Sequence, residues 1–568
     1  HYFSVFLLVL GYCTGFSQTP TTAFFNMALA VLGWGGFMLL RSEPAFGSAG
    51  AERRFPVGVA LSSAALLLLA AAVVMESVPV DAAIIVCAGF VLAMGWKAAR
   101  GGESTVGTIF SALLVAGLIS VVFAGVQYFV PAWADGLWIA KPITAGRAFG
   151  NMRQPNHLST LLVMSACCLP VLAQGRPGRQ AAAWVAMAVL MLGVAFSSSR
   201  TGLVGVLVLG AWGLLDRELT PAVRRLLVGA VVLVGAWWLL LWAWGHLGGV
   251  SYFGEARLES NGDLSSSRFK IWANTLTLIA QHPWTGVGWG NFNFAWSLTE
   301  FPNRPVAFFD HTHNLLLQFA VELGLPLTLG LMGVSAWALW QARGALRDAL
   351  PEHSLLARCA LMMVVLVAWH SLLEYPLWYP YFLFPAAYAL GLYLGIGWPG
   401  KKGEKLITES APGLGFMPKL VGALMVVGAL YAIWDYQRIV QIFAPYGVIG
   451  RQPLTERIRE GQKSALFGHH ADYAAVTMAP HPSELLERFE RPLHHLIDAR
   501  LMIAYAKALA ERGERDKAVY VSQRLREFKN PKSEAFFAEC ASPKPGEPTP
   551  FQCDTAPVKL RFEDFLQR

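Results

Sequence analysis

The residues best suited to chemistry lie between positions 265 and 314. Arg268 and Lys270 follow a run of three serines, and the segment closes on His311 and His313. An imidazole titrates near neutrality and can take a proton from a hydroxyl, whereas the planar guanidinium group matches a phosphate. The pattern therefore predicts a site that holds an anion beside a general base. The alternative for His313 is a wetted histidine at the start of a helix, without a role in chemistry.

Further polar residues lie next to other apolar stretches. Pro155 disfavours helix at the residue before it, which predicts a fixed loop ahead of one stretch. His370 and Glu374 are four residues apart, an ionisable pair that an aromatic belt does not explain. Snorkelling toward lipid phosphates is the alternative for the arginines. The predicted catalytic residues are His313 and His311, and the predicted substrate-binding residues are Arg147, Arg153, Gln154, Asn156, Arg200, Arg268, Lys270, Asn314, Glu374 and Tyr375.

The composition indicates that these residues sit on membrane-spanning helices. The chain has 568 residues, of which 55% are hydrophobic and 14% charged, whereas soluble domains carry about 25% charged residues. Apolar runs near the length of a bilayer recur along the chain. We therefore expect an all-α polytopic membrane protein with about 12–13 transmembrane helices. The expected spans are 2–17, 22–40, 57–76, 81–98, 106–130, 157–173, 181–196, 201–215, 223–247, 313–342, 354–372, 377–397 and 418–440.

Charge predicts the orientation. Arginines and lysines recur in alternate loops, which the positive-inside rule makes cytoplasmic. This rule accounts for most of the net charge of +8, so no nucleic-acid partner is expected. The other face then holds 131–156, 197–200, 248–312, 373–376 and the tail after about 441. Cations on that face need another reason, and binding an anion is the most economical one. They are Lys141, Arg147, Arg153, Arg200, Arg257, Arg268, Lys270 and Arg304.

The charge pattern also divides the chain. We expect N-terminal transmembrane helices at 1–247, a large outer loop at 248–312, C-terminal transmembrane helices at 313–440 and a helical tail at 441–568. Small residues at helical spacing predict a hairpin over 498–527, similar to one tetratricopeptide unit. Cys540 and Cys553 lie in the tail; in an oxidising compartment they could pair, and two free thiols are the alternative. The cysteines show no metal-type spacing.

Helical spacing predicts a polar stripe at the start of the span 313–342. Asn314, Gln318 and Glu322 are four residues apart, and polar groups in a bilayer normally face a bundle interior or a wet cavity. We expect Asp310 to cap this helix, which places His313 in its first turn. For Glu322 a structural hydrogen bond between helices is the preferred interpretation.

These residues together resemble the O-antigen ligase and polymerase superfamily. The resemblance is carried by Arg200, by the Arg268 segment, by the stretch 282–292 and by His313-Asn314 with Glu322-x-Gly324. The Gln154-Pro155-Asn156 loop and the Glu374-to-Leu377 segment more closely resemble the PglL-like protein O-oligosaccharyltransferases of Gram-negative bacteria. The long C-terminal tail also fits that branch better than the shorter lipopolysaccharide ligases.

The resemblance implies a glycosyltransferase of the bacterial inner membrane, with its site and tail facing the periplasm. Its donor would be an oligosaccharide on undecaprenyl diphosphate, and its acceptor a Ser or Thr hydroxyl of a pilin or another periplasmic protein. Arg200 and Arg268 would stabilise the diphosphate, and the histidine would act as base in an inverting reaction. Gln154 and Tyr375 would position acceptor or donor. We expect no cofactor and no metal, and membrane lipids as the surroundings.

Other functions remain open on the sequence. An O-antigen ligase would use lipid A–core as the acceptor. A flippase or transporter of a polyisoprenoid-linked glycan is a different class, but the chemical groups cluster on one face and no inverted repeat is visible. A non-catalytic scaffold whose tail recruits partners is a further alternative.

Overall fold

The helices account for nearly all regular structure in the described residues. The computed structural model describes residues 1–41, 79–99, 103–144, 146–248, 264–347, 349–397, 417–444, 452–541 and 549–566, and no strand occurs among them. The helices of the N-terminal half are α1 (Tyr2–Cys13), α2 (Phe24–Arg41), α3 (Pro79–Ala98), α4 (Glu103–Phe129), α5 (Pro155–Ala166), α6 (Leu169–Ala173), α7 (Pro177–Ser197), α8 (Arg200–Leu215) and α9 (Pro221–Gly248).

The remaining helices follow in three groups. Those after α9 are α10 (Leu264–Gln281), α11 (Phe292–Leu298), α12 (Leu315–Leu323), α13 (Leu325–Gln341), α14 (Pro351–Ser371), α15 (Pro380–Gly397) and α16 (Met417–Phe443). The tail holds α17 (Leu454–Gly461), α18 (Gly468–Met478), α19 (Glu490–Leu493), α20 (Ala499–Glu511), α21 (Arg515–Glu527) and α22 (Glu534–Ala538). Short 3₁₀ helices are Pro131–Trp133, Ala342–Leu346, Pro376–Trp378, Pro482–Phe489, Pro531–Ser533, Phe551–Cys553 and Phe562–Phe565.

The chain is an all-α polytopic membrane protein, as predicted. Within the described ranges, nine helices are long and apolar enough to cross a bilayer. They coincide with nine of the expected spans. Two further expected spans, 2–17 and 201–215, correspond to the shorter apolar helices α1 and α8. The expected span 57–76 lies outside the described residues.

The expected single span 313–342 is wrong. Two helices occupy it, α12 of nine residues and α13 of 17, and they meet at Gly324. That glycine has φ 78°, a left-handed conformation that interrupts the helix and that other residues adopt at a cost. The next amide, of Leu325, donates to the carbonyl of Pro283 at 2.8 Å. An apolar run hides this break, because hydropathy does not register a reversal in the backbone.

The chain forms two compact units. The first comprises residues 1–68, 81–261 and 332–433. Its core is one continuous cluster of buried apolar side chains from the membrane-length helices. Helices α1 and α2 pack together, as do α8 and α9, and α14 and α15. Small residues allow such close packing where a bilayer supplies no hydrophobic drive between helices: a Cβ on Gly391 would overlap the carbonyl oxygen of Leu92.

The second unit comprises residues 69–80, 262–331 and 434–568. Its main core joins α10, α11 and α12 to the tail helices, with the rings of Trp296 and Phe528 at its centre. The predicted hairpin is confirmed: α20 and α21 pack against each other, and Ala504, Ala508 and Ala518 are buried between them. Cys540 and Cys553 form a disulfide bond.

The prediction that Arg304 binds an anion is wrong. Its guanidinium is buried, with Nε 2.8 Å from Oε2 of Glu527. The rings of Trp296, Phe301 and Phe528 surround it at 4.6–5.2 Å. Burial lowers the pKa of Arg304 to about 10, although Glu527 opposes the shift, so the side chain stays charged at neutral pH. Arg304 therefore anchors the tail to the loop segment within the second unit.

Candidate functional site

The first unit contains a polar relay that links three separate segments. Asn156, at the start of α5, donates from Nδ2 to Oε1 of Glu374 at 3.3 Å. Its Oδ1 accepts from the hydroxyl of Ser199 at 2.7 Å, and Ser159 Oγ lies 3.0 Å from Ser199 Oγ. These hydrogen bonds orient the Asn156 amide and hold the relay rigid. The predicted residues Asn156 and Glu374 are therefore brought together.

The local sequence explains this geometry. Gln154 is the extended residue that precedes α5, as Pro155 requires. Ser199 caps α8, because its side chain accepts from the amide of Gly202. Arg200 is then the first residue of α8, with an exposed side chain. A guanidinium in this position lies beside the positive end of a helix dipole, so the two reinforce each other toward an anion.

The polar side chains of the loop before α5 differ in their hydrogen-bond partners. Arg153 has φ 63°, and its guanidinium donates to the carbonyl of Gly15 at 2.6 Å, a contact that fixes the backbone. Arg147 Nε lies 3.4 Å from the carbonyl oxygen of Ser197, next to the turn that carries Arg200. Gln154 Oε1 is shielded from solvent and has no hydrogen-bond partner among the described residues. A buried acceptor without a partner costs free energy, and it is suited to accept a hydrogen bond from an N–H or O–H group of a ligand.

Aromatic and imidazole rings pack beside the relay. Tyr375 is half-buried, and its ring centroid lies 5.7 Å from that of Tyr379. Tyr379 in turn contacts the ring of His157 at 4.6 Å. His370 is fully buried, with Nδ1 2.9 Å from the hydroxyl of Thr160. The buried imidazoles therefore serve packing and hydrogen bonding inside the unit, and Tyr375 lies at the edge of this ring cluster.

In the second unit, α10 carries Arg268 and Lys270 against the histidine segment. Arg268 is half-buried and Lys270 is exposed. Trp272 lies one turn after Arg268, on the same helix face, and its indole N–H donates to the carbonyl of Thr312 at 2.9 Å. That hydrogen bond fixes the face of α10 bearing Arg268 beside the segment 310–314.

The prediction that Asp310 caps the following helix is wrong. Asn314 caps α12: its Oδ1 accepts from the amides of Leu316 and Leu317, each at 3.1 Å. His313 therefore precedes the helix and does not lie in its first turn. It has φ 55°, an uncommon conformation for a residue with a side chain. The cap position belongs to Asn314 because its side chain, four residues later than Asp310, reaches the first free amides.

Asp310 instead pairs with His311. Its carboxylate contacts Nδ1 of His311, and the ring centroids of His311 and His313 are 4.2 Å apart. Partial burial alone would raise the pKa of Asp310, but the hydrogen bond and charge of His311, with a smaller contribution from His313, outweigh it and lower that pKa. The carboxylate is therefore ionised at neutral pH and lies against the imidazole pair.

The polar stripe of α12 builds the loops around the histidines. Gln318 Oε1 accepts from the amide of Thr312 at 2.8 Å, and Glu322 Oε1 accepts from the amide of Phe292 at 3.3 Å. The second contact is the structural hydrogen bond preferred for Glu322. The glycine-rich stretch packs on the same helix, because the amide of Gly288 donates to the carbonyl of Glu322 at 3.1 Å. The close backbone approach that these glycines allow is therefore to α12 of the protein itself.

Three residues of these clusters were not predicted as site residues. Ser199 donates a hydrogen bond to Asn156, and Thr312 accepts one from the indole of Trp272. Asp310 contacts Nδ1 of His311 through its carboxylate. The signal for Asp310 is its position next to His311 in the sequence, which favours a hydrogen bond as much as a helix cap. Ser199 lies 43 residues from its partner, so spacing along the chain carries no signal for it.

Three segments of the chain match models of known protein families. Residues 185–332 match the family described as O-antigen ligase, residues 358–540 the C-terminal part of a virulence factor membrane-bound polymerase, and residues 148–167 a protein glycosylation ligase. The first and third segments contain Arg200, Arg268 and His313, and Gln154 with Asn156, respectively.

Two relatives come from Acinetobacter baylyi. A general O-oligosaccharyltransferase is 29% identical over 265 residues, 43% of this chain and 43% of the relative. A ComP-specific O-oligosaccharyltransferase is 25% identical over 249 residues, 43% of this chain and 44% of the relative. The alignments thus span less than half the length of these relatives. By its family matches and its relatives, the chain is similar to the O-antigen ligase superfamily and, within it, to the PglL-like protein O-oligosaccharyltransferases.

Proposed function

We propose that the protein transfers an oligosaccharide from undecaprenyl diphosphate to a Ser or Thr hydroxyl of a periplasmic protein such as a pilin. The observation that carries this proposal is the segment 310–314, in which an ionised carboxylate supports two adjacent imidazoles beside the face of α10 that bears Arg268. A base with a cation that matches phosphate is what glycan transfer from a lipid diphosphate requires.

The reaction is a single displacement. The acceptor oxygen attacks the anomeric carbon of the first sugar, the bond from that carbon to the diphosphate oxygen breaks, and the configuration inverts. His313, with His311 as the second candidate, takes the hydroxyl proton, and Asp310 stabilises the imidazolium that forms. Arg268 and Lys270 stabilise charge on the departing undecaprenyl diphosphate, and Asn314 shapes the loop through its cap. The chemistry uses side chains alone, without a metal ion.

Residues of the first unit bind the substrates. Arg200 offers a guanidinium to a phosphate at the start of α8, and Arg147 and Arg153 keep the loop before α5 cationic. Gln154 offers its shielded side-chain carbonyl oxygen to a hydrogen-bond donor group of a substrate. Asn156, Glu374 and Tyr375 position acceptor or donor through the rigid relay and the adjacent ring cluster.

The site and the tail face the periplasm from the bacterial inner membrane. The positive-inside rule supports this orientation, since the loops that carry most arginine and lysine lie on the opposite side. A protein acceptor is supported by the protein glycosylation ligase match over 148–167 and by the two relatives. Lipid A–core is the second candidate acceptor, favoured by the O-antigen ligase match over 185–332.

An acceptor comparison tests the proposal. Purified protein in detergent is incubated with a lipid-diphosphate-linked oligosaccharide and either a purified pilin or rough lipopolysaccharide. We expect glycan on Ser or Thr of the pilin, detected by intact-mass spectrometry, and none on the lipopolysaccharide. Transfer to lipopolysaccharide alone would replace the proposal by an O-antigen ligase, and donor movement across vesicles without transfer would indicate a flippase.

Arg268 has a test of its own. Because a guanidinium contacts the diphosphate before and during bond cleavage, Arg268→Ala should weaken donor binding and slow transfer, whereas Arg268→Lys should restore only part of both. Arg512→Ala, an exposed arginine of the tail, is the matched control. Equal donor affinity and equal rate for Arg268→Ala and the control would remove Arg268 from the site.

A further inference from the structure

Three histidines of the tail gather at one point of the second unit. His469 and His470 open α18, and His495 follows α19. The ring centroid of His469 lies 4.2 Å from that of His470 and 3.8 Å from that of His495. One ligand nitrogen of each residue lies within 4.8 Å of the other two.

This convergence is unusual for the positions involved. Adjacent residues of a helix point about 100° apart, yet the first turn of α18 directs both imidazoles toward His495. His469 Nε2 is shielded from solvent and has no hydrogen-bond partner in the part of the chain that the structure describes. A buried ring nitrogen without a partner costs free energy unless a ligand occupies it.

The chemistry of the three side chains suits a cation. Each of the three side chains offers an imidazole nitrogen, and neutral imidazole is the form that binds metal.

The surrounding charges are balanced. Arg491 is a positive charge close to the cluster, but its guanidinium is ion-paired with the buried carboxylate of Asp472, which Arg488 also contacts at 3.4 Å. On the other side, the carboxylate of Asp310 interacts electrostatically with His495. A negative charge thus faces the cluster from the segment that carries His311.

We propose that His469, His470 and His495 bind one Zn²⁺ ion, with water in the fourth position. Neutral imidazole is a preferred ligand of this ion, at about 2.0–2.1 Å from metal to nitrogen. Tetrahedral geometry at that length separates the nitrogens by about 3.4 Å. The ligand nitrogens now lie within 4.8 Å of one another, so ring rotations that shorten these distances by up to about 1.4 Å complete the site.

The ion would hold the tail against the histidine segment. The amide of Ile497, two residues after His495, donates to Oδ1 of Asn293 at 2.6 Å, and Nδ2 of the same asparagine donates to the carbonyl of Phe309 at 2.8 Å. Asn293 therefore joins the backbone near His495 to the backbone next to Asp310. Tying His495 to α18 through a metal ion restrains that junction.

Metal analysis of the full-length protein tests the proposal. The protein is purified with a histidine-free affinity tag, stripped with a chelator and titrated with Zn²⁺ or Co²⁺. We expect one ion per chain and visible Co²⁺ absorption of the intensity typical of four-coordinate sites. His495→Ala should weaken binding by at least about 100-fold, more than the 10–100-fold that loss of an outer-shell partner costs. His481→Ala, an exposed histidine of the same tail, should leave it unchanged.

Hydrogen exchange of the same samples separates metal loss from misfolding. With Zn²⁺ bound, peptides of α18 and of 494–497 should exchange more slowly in the wild type and not in His495→Ala, while α20 and α21 are protected equally in both. Absence of a tight site in the wild type, or equal Zn²⁺ affinity in His495→Ala and the wild type, would overturn the proposal.

Discussion

At the scale of single residues, Asp310 decides how the histidine pair can act. A carboxylate on Nδ1 of an imidazole fixes the tautomer of the ring and stabilises its protonated form. Burial alone would raise the pKa of Asp310, but the hydrogen bond and charge of His311 outweigh it and lower that pKa. In the proposed mechanism Asp310 is therefore a positioning residue for whichever ring takes the proton.

Replacing Asp310 by Asn tests this role. Loss of the negative charge removes the carboxylate that would stabilise an imidazolium, so the rate of transfer should fall on the order of 10- to 100-fold, less than the 10²–10⁴-fold that a general base contributes. Donor affinity should not change. Single-turnover transfer and equilibrium donor binding measure the two quantities.

The matched control is Glu300→Gln, which removes a carboxylate that is 78% exposed. Transfer by Asp310→Asn at the wild-type rate would show that the carboxylate does not act on the base. Donor binding serves as the folding control: an Asp310→Asn protein that binds donor as the wild type does is folded, so its slower transfer is not a result of misfolding.

Residue types pointed to groups suited to chemistry but did not reveal the partners of those groups. His311, His313 and Arg268 stand out in the sequence because such groups are unexpected next to apolar stretches. Arg304 stands out in the same way, yet it pairs with Glu527, 223 residues later. A cation bound to a phosphate and a cation bound to a distant carboxylate look alike in a sequence, because the partner is determined by the fold.

At the scale of elements, the break between α12 and α13 positions the histidine segment. Gly324 and Gly286 bring the end of α12 against the glycine-rich stretch, where added Cβ atoms would overlap backbone of Trp284 and Glu322, respectively. The hydrogen bonds of Gln318 and Glu322 then fix the loops on either side. A straight helix over 313–342 would remove these contacts.

Gly324→Ala tests the break. Its φ of 78° and the overlap with the carbonyl of Trp284 should destabilise the second unit by about 1–3 kcal/mol and reduce transfer. Gly330→Ala is the control: it lies in α13, and a Cβ there meets nothing within 4 Å, so it should be neutral or stabilising by about 0.5–1 kcal/mol. Thermal unfolding in detergent measures both; a Gly324→Ala protein as stable as Gly330→Ala would contradict the account of the break.

Acid should loosen the tail. Folding lowers the pKa of His469 and His470 from an ordinary value of about 6.5 to about 2 and about 3, so the unfolded tail takes up protons first. Their stabilisation is complete above pH 6.5 and is lost progressively as the pH falls toward 3. The positive charge of Arg491 adds to this loss at His469.

Hydrogen exchange in the presence of a chelator checks this prediction. Peptides of α18 should exchange faster at pH 5 than at pH 7.5, after correction for the intrinsic rate, and His469→Asn should flatten that difference. Equal protection at both pH values would show that the two histidines are not neutral in the folded tail. The chelator removes any metal, so this result is independent of ion binding.

Elements were predictable where one physical signal dominates. Hydropathy located nine membrane-length helices because each is a long apolar run between charged loops. Alanine spacing located the α20–α21 hairpin because small residues allow two helices to approach. The break at Gly324 was not predictable, since its cause is a left-handed backbone conformation within an apolar run.

At the scale of the whole molecule, the chain divides into a membrane-helix unit and a unit that joins residues 262–331 to 434–568. The second grouping depends on contacts across more than 200 residues, such as His494 Nδ1 at 2.8 Å from Asn291 Oδ1. No local sequence pattern predicts these contacts, because the two segments that make them have the composition of an ordinary loop and an ordinary tail. The general fold was therefore predictable from composition, whereas the support that the tail gives to the histidine segment was not.

The most direct test of glycan transfer by a histidine base with arginine support compares His313→Ala, His311→Ala and Arg268→Ala. Donor binding is measured at equilibrium, and transfer to an acceptor protein in a single turnover. We predict that one histidine variant binds donor as the wild type does but transfers about 10²–10⁴-fold more slowly, while Arg268→Ala loses both binding and rate. Transfer at the wild-type rate by both histidine variants would contradict the proposed mechanism.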